Sequence, residues 1–518
     1  MPHDATVSRI ATAVKAFNTR KEPYRIFHGS TNSTRPYEKQ SVVDISDLSN
    51  VVKIDPDTKT AIVEPNVPMD KLVEATLQHG LIPPVVMEFP GITVGGGYAG
   101  SAGESSSFKY GYFDQTVNSV EMVLANGEVV TASKNERPDL FKGAAGALGT
   151  LGIVTLIELQ LIQAKKYVKV EYHRRSNVHD SIGKLQQEIK NPSNDYVDGI
   201  IFSKDHGVII TGQLTDEMPR SAKPQTFSKS WDPWFYLHVK GKTHVETTSP
   251  VTEYIPLAEY LFRYDRGGFW VGIEAFRYFP FVPFNKYTRW FLDDFIHTRM
   301  LYRAMHGSGK EFGNIVQDLS LPYSTVEQFV DYTSEEVAIW PLWLCPLREM
   351  TPPTFHPYTT QPRPGNNSKP MLNIGLWGPA SSDLDTFVAQ NRRLESKLTE
   401  LGGRKVLYSH TYYTEDEFWS LYDKKWYDEL RERYSASNLL TVYDKVKIDV
   451  AKYKQASVSW RQRLATMWPF AGLWGIWKAI GSKDYLLHRN AAWRYRESVG
   501  IEKKDTRLIE DSQRYESS

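Results

Sequence analysis

Between Pro90 and Gly111 the chain carries glycine at positions 91, 95, 96, 97, 100, 103 and 111, too few side chains for an ordinary core helix or strand. Such a segment serves close approach. Without Cβ atoms the backbone reaches positive φ, and several N–H groups can converge on phosphate oxygens. Gly95-Gly-Gly97-Tyr-Ala-Gly100 spells the dinucleotide pattern G-x-G-x-x-G, and Glu121 lies about 20 residues on, where that pattern places its acid. The context argues against a Rossmann unit. Pro90 interrupts Met87 to Thr93, so no central parallel strand feeds the loop, and Ser101 to Phe108 lacks the apolar spacing of a helix packed on a sheet. The stretch is therefore a wall of a nucleotide site of another kind.

Two further loops fit that wall. His28 to Thr34 is short and polar, follows the apolar Tyr24 to Phe27, and offers Gly29, Ser30, Thr31, Asn32 and Ser33 as small donors, with Arg35 beside them. Gly149-Thr-Leu-Gly152 runs into Ile153 and gives another close backbone approach. In the central loop the candidate contacts are Thr93, Val94, Gly95, Gly96, Gly97, Gly100, Ser101, Gly103, Glu104 and Ser105. Around the loops, Thr60 to Glu64 reads as a strand and Met69, Leu72, Val73, Thr76 and Leu77 as one face of a helix ending before Gly80. Asn126-Gly127 between Val120–Leu124 and Glu128–Thr131 signals a hairpin, and Leu151 to Ile162 a long strand. Residues 1–165 thus form an α+β unit.

Residues 166–447 are heavier in aromatics and proline, with clusters at Trp231–Tyr236, Phe276–Phe284 and Trp340–Pro346. This region is expected to be a mixed α/β substrate or cap domain, with helices returning at its end. One amphipathic helix is expected from Phe418 through Trp426 to Leu430, and a proline-rich loop or flap over Met350–Lys369. Residues 448–518 form a third region, a helical extension rich in aromatic and basic residues. In it, Met467 to Ile480 holds three tryptophans with basic flanks. That stretch suits a helix packed on the domain, a helix lying in a membrane interface, or a dimer contact. It is too short to span a bilayer, and no other stretch is long and apolar enough. Sixty-two basic against 61 acidic residues leave a net charge of +1, which excludes a global field for nucleic acid. The lone cysteine, Cys345, excludes an intrachain disulfide and points to a reducing, cytosol-facing setting. Metal-binding spacings, a P-loop and a nucleophile elbow are all missing from the sequence.

The loop spacing resembles the FAD-binding domain of the vanillyl-alcohol-oxidase (PCMH) superfamily. Thr93-Val-Gly-Gly with Gly103-Glu-Ser-Ser-Ser-Phe-Lys-Tyr-Gly111 resembles, within it, the delta-24-sterol reductase (Diminuto, seladin) branch. So do Ala164–Lys169, Pro233–Phe235, Tyr254–Leu257, Val316–Leu319, Trp343–Pro346 and Glu417–Trp419. The resemblance implies an α+β fold with a two-subdomain FAD-binding domain, bound FAD, NADPH as hydride source, and a sterol-like olefin as substrate. Phe108 departs from the histidine expected there. The first loop holds Thr31 and Asn32 where many members tether FAD through histidine, and His28 comes too early, so FAD is expected to be non-covalent. The Trp-rich tail is expected to replace the membrane anchor of that branch. The chain is then peripheral on the cytosolic face of the endoplasmic reticulum, or soluble and cytoplasmic.

Reducing an isolated trisubstituted C=C requires a proton on the less substituted carbon and a hydride on the developing tertiary cation. Tyr412 is the first candidate acid, because it aligns with a tyrosine of that branch; Lys109 and Glu104 are the second candidates. Glu104 alternatively positions the flavin, and Tyr412 alternatively packs a domain interface. Two other functions share the cradle: an FAD-dependent oxidase or dehydrogenase of a non-sterol molecule, and a non-catalytic sterol or lipid carrier.

Overall fold

The computed structural model describes residues 2–29, 41–245, 249–308, 313–359, 369–450 and 470–496. Two antiparallel sheets dominate it. The first has the order Val51–Asp55, Thr60–Val63, Gly152–Gln160, Val117–Leu124, Val129–Ser133. The Asn126-Gly127 turn closes its hairpin, with Gly127 at φ +86°, and the helix Met69–Leu77 buries Met69, Leu72, Val73 and Thr76 as expected. The N-terminal helix His3–Thr19 packs Ile10 and Val14 into the same core. Its His3 reaches Glu64 at 2.9 Å and Glu121 at 3.1 Å. Glu121, the acid of the apparent dinucleotide pattern, also accepts from Thr155 at 2.6 Å and so belongs to this sheet. The α+β class is borne out.

The second sheet has eight strands, in the order Val251–Pro256, Tyr167–Arg175, His206–Thr215, Tyr196–Ser203, Leu342–Leu347, Met371–Pro379, Asn314–Pro322, Arg404–Lys405. Its period-2 alternation feeds two different environments. Leu319, Leu321, Leu342, Leu344, Leu372, Ile374 and Leu376 meet the helices Val178–Glu188, Val326–Glu336 and Leu384–Glu400 in one apolar cluster. The alternate residues, among them Val316, Asp318, Trp343, Leu347, Asn373 and Trp377, face the first unit across a cavity. Both faces are covered, which is why these strands read as almost continuous apolar runs.

Beyond this sheet the chain returns to the first unit. The single amphipathic helix expected near residues 418–430 is two helices, Glu415–Leu421 and Lys424–Arg433. Asp423 starts the second by accepting the Trp426 N–H at 2.9 Å, a cap that no periodicity argument registers. Tyr427 donates to Thr150 at 2.7 Å, and Lys445 Nζ to the Leu148 carbonyl at 2.8 Å. The helix Phe470–Ser482 lies on the helix Thr298–Ser308, where Gly475 faces the Ala304 carbonyl. Of the stretch 467–480, residues 467–469 fall outside the described residues, as does the 360–368 part of the proline-rich loop. No helix among the described residues is long and apolar enough to cross a membrane.

Candidate functional site

The cavity between the two units has a volume of about 1150 Å³, above the usual range of small-ligand sites, ~300–1,000 Å³. One end is backbone. Gly29, Gly95, Gly96, Gly100, Gly103, Gly149 and Gly152 all line it, with Thr93, Ser101, Glu104 and Ile153. Thr93 caps the short helix Val94–Ala99 through its Oγ1, which accepts the Gly96 N–H at 3.1 Å. Residues 83–92 before that helix are irregular, so the dinucleotide spelling sits outside any strand–turn–helix unit.

Not every candidate reaches the cavity. Val94 is core, and a Cβ on Gly97 would meet Met87 at 2.4 Å and Phe113 at 3.0 Å, so Gly97 serves packing. Ser105 gives its carbonyl to Val197 N–H at 2.8 Å and its hydroxyl to Glu88, which makes it a clasp between the units. Ser30, Thr31, Asn32 and Ser33 lie outside the described residues. His28, read from the sequence as too early, does line the cavity. Phe108 is placed against the helix-side apolar cluster.

The three proton-donor candidates separate. Lys109 pairs with Asp195 at 2.7 Å and does not line the cavity. Tyr412 does not line the cavity either: its N–H donates to Glu395 of the helix Leu384–Glu400 at 3.0 Å, and its ring meets Phe387 at 6.1 Å within the helix-side cluster. Glu104 alone of the three faces the cavity.

The other end of the cavity is aromatic and acidic, and most of it went unnoticed in the sequence. Phe269 stands 5.3 Å from Trp343 and 4.5 Å from Trp377, with Tyr302, Leu347 and Val406 beyond. Gly375 makes this possible, since a Cβ there would lie 2.5 Å from the Trp377 ring. Asp318 accepts from Asn373 Nδ2 at 2.7 Å and from the Tyr408 hydroxyl. Burial raises Asp318 to about 6, against the lowering effect of those two hydrogen bonds. Glu88 is also buried, and burial lifts it to about 8 although Arg263 stands 2.9 Å away. Burial raises Glu104 well above the carboxylate range too, with Glu88 and Asp318 adding repulsion. The sequence held one signal for this end: an acid, Asp318, flanked by Ile315, Val316, Leu319 and Leu321 in a stretch of strand length.

These residues fit a flavin nucleotide. The glycine end offers backbone without side chains, and the buried Tyr112 hydroxyl lines the cavity without a hydrogen-bond partner among the described residues. Comparison with known proteins agrees. Residues 5–133 match the FAD binding domain family. The chain is 30% identical over 423 residues to the Delta(24)-sterol reductase of Homo sapiens, covering 79% of this chain and 78% of that protein. It is 26% identical over 511 residues to the Delta(24)-sterol reductase of Pisum sativum, with 90% and 88% covered. A shorter likeness, 31% over 141 residues, reaches cytokinin dehydrogenase 4 of Oryza sativa subsp. japonica, over 27% of this chain and 26% of that one. With its cavity built from glycine loops on one side and an aromatic sheet face on the other, the chain belongs to the Delta(24)-sterol reductase family of FAD-binding proteins.

Proposed function

We propose that this chain reduces an isolated C=C bond in the side chain of a sterol, with FAD held non-covalently and NADPH as hydride source. The observation that carries the reading is the continuity of the cavity, glycine-lined at one end and aromatic at the other, in a member of this family. Bound there, FAD supplies the hydride. The chain's own residues do the rest. Gly95, Gly96, Gly100, Gly149 and Gly152 present backbone to the nucleotide, and Thr93 holds the first turn in place. Phe269, Trp343 and Trp377 exclude water and offer ring faces to an apolar side chain and to the positive charge that develops on its tertiary carbon.

On this reading residues 1–165 hold the flavin, 166–447 the substrate, and 448–518 attach the molecule to a membrane. The last step is supported by the helix Phe470–Ser482. Phe470, Leu473, Trp474, Trp477 and Ile480 are exposed on it, and Trp474 stacks on Trp477 at 4.9 Å. An apolar face of that kind suits an interfacial helix and supports the reading of a chain held peripherally on a membrane, here the cytosolic face of the endoplasmic reticulum.

An absorption spectrum of the purified protein, followed by anaerobic titration with NADPH and then a Δ24-sterol, tests the function. Flavin bands bleached by NADPH and restored by the sterol are expected. Fast peroxide release without NADPH would make the chain an oxidase, and purified protein without flavin would make it a carrier. Trp474→Ser/Trp477→Ser is expected to lose co-sedimentation with phospholipid vesicles; unchanged sedimentation, or none in the wild type, would leave the chain soluble.

A further inference from the structure

Three acids face one another across this cavity, and a C=C reduction needs one proton placed on carbon. The question is which group is both exposed to the cavity and backed by a proton reserve. Glu104 accepts the backbone N–H of Glu88 and sits within the Gly103–Ser107 turn, where Ser107 Oγ accepts its own N–H at 2.8 Å. Glu88 stands against Arg263, which also reaches Asp198 at 2.9 Å. Tyr112 lines the cavity, but its hydroxyl is hydrogen-bonded to no acid among the described residues. Tyr408 differs from all of these. It is partly exposed to the cavity, its hydroxyl is bonded to Asp318, and the Trp377 indole N–H donates to the same oxygen. Behind Asp318 stands Asn373, whose Nδ2 donates to it at 2.7 Å and whose Oδ1 accepts from Ser320 at 3.1 Å.

We propose that Tyr408 is the residue that protonates the olefin and that Asp318, held by Asn373, resupplies its proton. This rests on the reading of the site as a C=C reductase. In the step Asp318 is protonated, its O–H donates to the phenol oxygen in place of the bond it accepts as a carboxylate, and the phenol O–H turns to the olefin. The Tyr408 O–H bond breaks as a C–H bond forms at the less substituted carbon, and the carboxyl proton of Asp318 passes to the phenol oxygen. The tertiary carbon takes the hydride that reduced FAD would supply when bound. Asp318 is left as a carboxylate, stabilised by the Asn373 amide, and takes up one proton from solvent before the next turnover. The phenol is a neutral O–H throughout the working range, since burial and the Asp318 charge raise it well above its ordinary value. The raised carboxyl of Asp318 keeps a protonated fraction near neutrality.

The test uses the full-length holoprotein with Tyr408→Phe and Asp318→Asn, and separates the two half-reactions under anaerobic conditions. In Tyr408→Phe the flavin spectrum and the rate of flavin reduction by NADPH stay within about twofold. Its reoxidation by a Δ24-sterol slows by ~100-fold or more, as loss of a general acid does. In Asp318→Asn the reoxidation slows less and loses the fall that the wild type shows above about pH 6. Reoxidation of Tyr408→Phe within about threefold of the wild-type rate, with an unchanged solvent deuterium isotope effect, would overturn the assignment. Wild-type protein that the sterol does not reoxidise would instead overturn the reductase reading on which it rests.

Discussion

Arg263 is buried between Glu88 and Asp198, each 2.9 Å away, and its guanidinium lies over the rings of Tyr260 at 4.1 Å and Tyr264 at 4.7 Å. Glu88 comes from the flavin-side unit and Asp198 from the eight-stranded sheet, so the cation is a rivet between them. Removing it strands two buried acids, and Arg263→Met is expected to lower stability by ~3–5 kcal/mol in chemical denaturation, with part recovered by adding Glu88→Gln. Nothing in the sequence marked this group, because Glu88 and Arg263 are distant along the chain and neither lies in a motif. The glycines were legible, but as a class. A Cβ on Gly95 would stand 2.7 Å from Pro65 Cβ and 3.0 Å from its carbonyl oxygen, whereas one on Gly96 meets only Thr93 Oγ1 at 3.1 Å and Ile92 at 3.9 Å. Gly95→Ala is therefore expected to lower the melting temperature, while Gly96→Ala keeps the fold and weakens FAD, each ~1.4 kcal/mol lost raising Kd tenfold. Equal melting temperatures for the two variants would contradict this division between packing and binding.

Elements were read well where one face meets solvent and poorly where both are covered. Met69–Leu77 and the Asn126-Gly127 hairpin announced themselves by periodicity and turn chemistry. The strand Met371–Pro379 is buried along all but its last residue, which erases the alternation that would have shown Asn373 and Trp377 on the cavity face. The short helix Tyr485–Arg489 was invisible for another reason: its docking depends on a ring contact across the chain. His488 lies 3.5 Å, centroid to centroid, from His297, whose Nδ1–H donates to Asp265 at 2.6 Å. Asp293 and Arg494 also face the pair. Burial lowers His297, but Asp265 and Asp293 outweigh it and raise the residue to about 9; burial and the His297 charge drop His488 to about 2. The raised His297 contributes fully below its unfolded pKa, and that contribution fades as pH rises through about 9. The depressed His488 works the other way. The unfolded segment binds the proton that the folded one refuses, so docking weakens as pH falls below about 6.5. Amide-exchange protection of residues 485–496 is expected to peak near pH 6.5, falling on the acid side through His488 and on the alkaline side, up to about pH 9, through His297, and His488→Phe is expected to remove the acid-side loss alone.

At the scale of the molecule the cavity belongs to neither unit. Gly95 and Gly149 come from the flavin side, Trp343, Trp377 and Asp318 from the eight-stranded sheet, and Tyr302, Arg303 and His306 from the helix that carries the C-terminal segment. Lys445, in the returning helices, lines it as well. A ligand lying along the cavity therefore touches all of these parts at once, and its binding energy is also energy holding the units together. The sequence disclosed the glycine side because a cofactor loop is local in sequence. The opposite wall is assembled from strands joined by long excursions, and no window of residues contains it. One consequence is measurable without any substrate. Stripping FAD should lower the melting temperature and speed amide exchange across both faces of the cavity, including the strand Asn314–Pro322, and not only in residues 90–111. Restoring FAD at a hundred times its Kd should return ~2.7 kcal/mol of stability if it binds the native state alone. Acid precipitation of the reloaded protein should then leave the colour in solution; a yellow pellet would indicate a covalent link, with His28 the first residue to replace. Protection confined to the glycine loops on FAD addition would mean that the aromatic wall closes only when the sterol arrives.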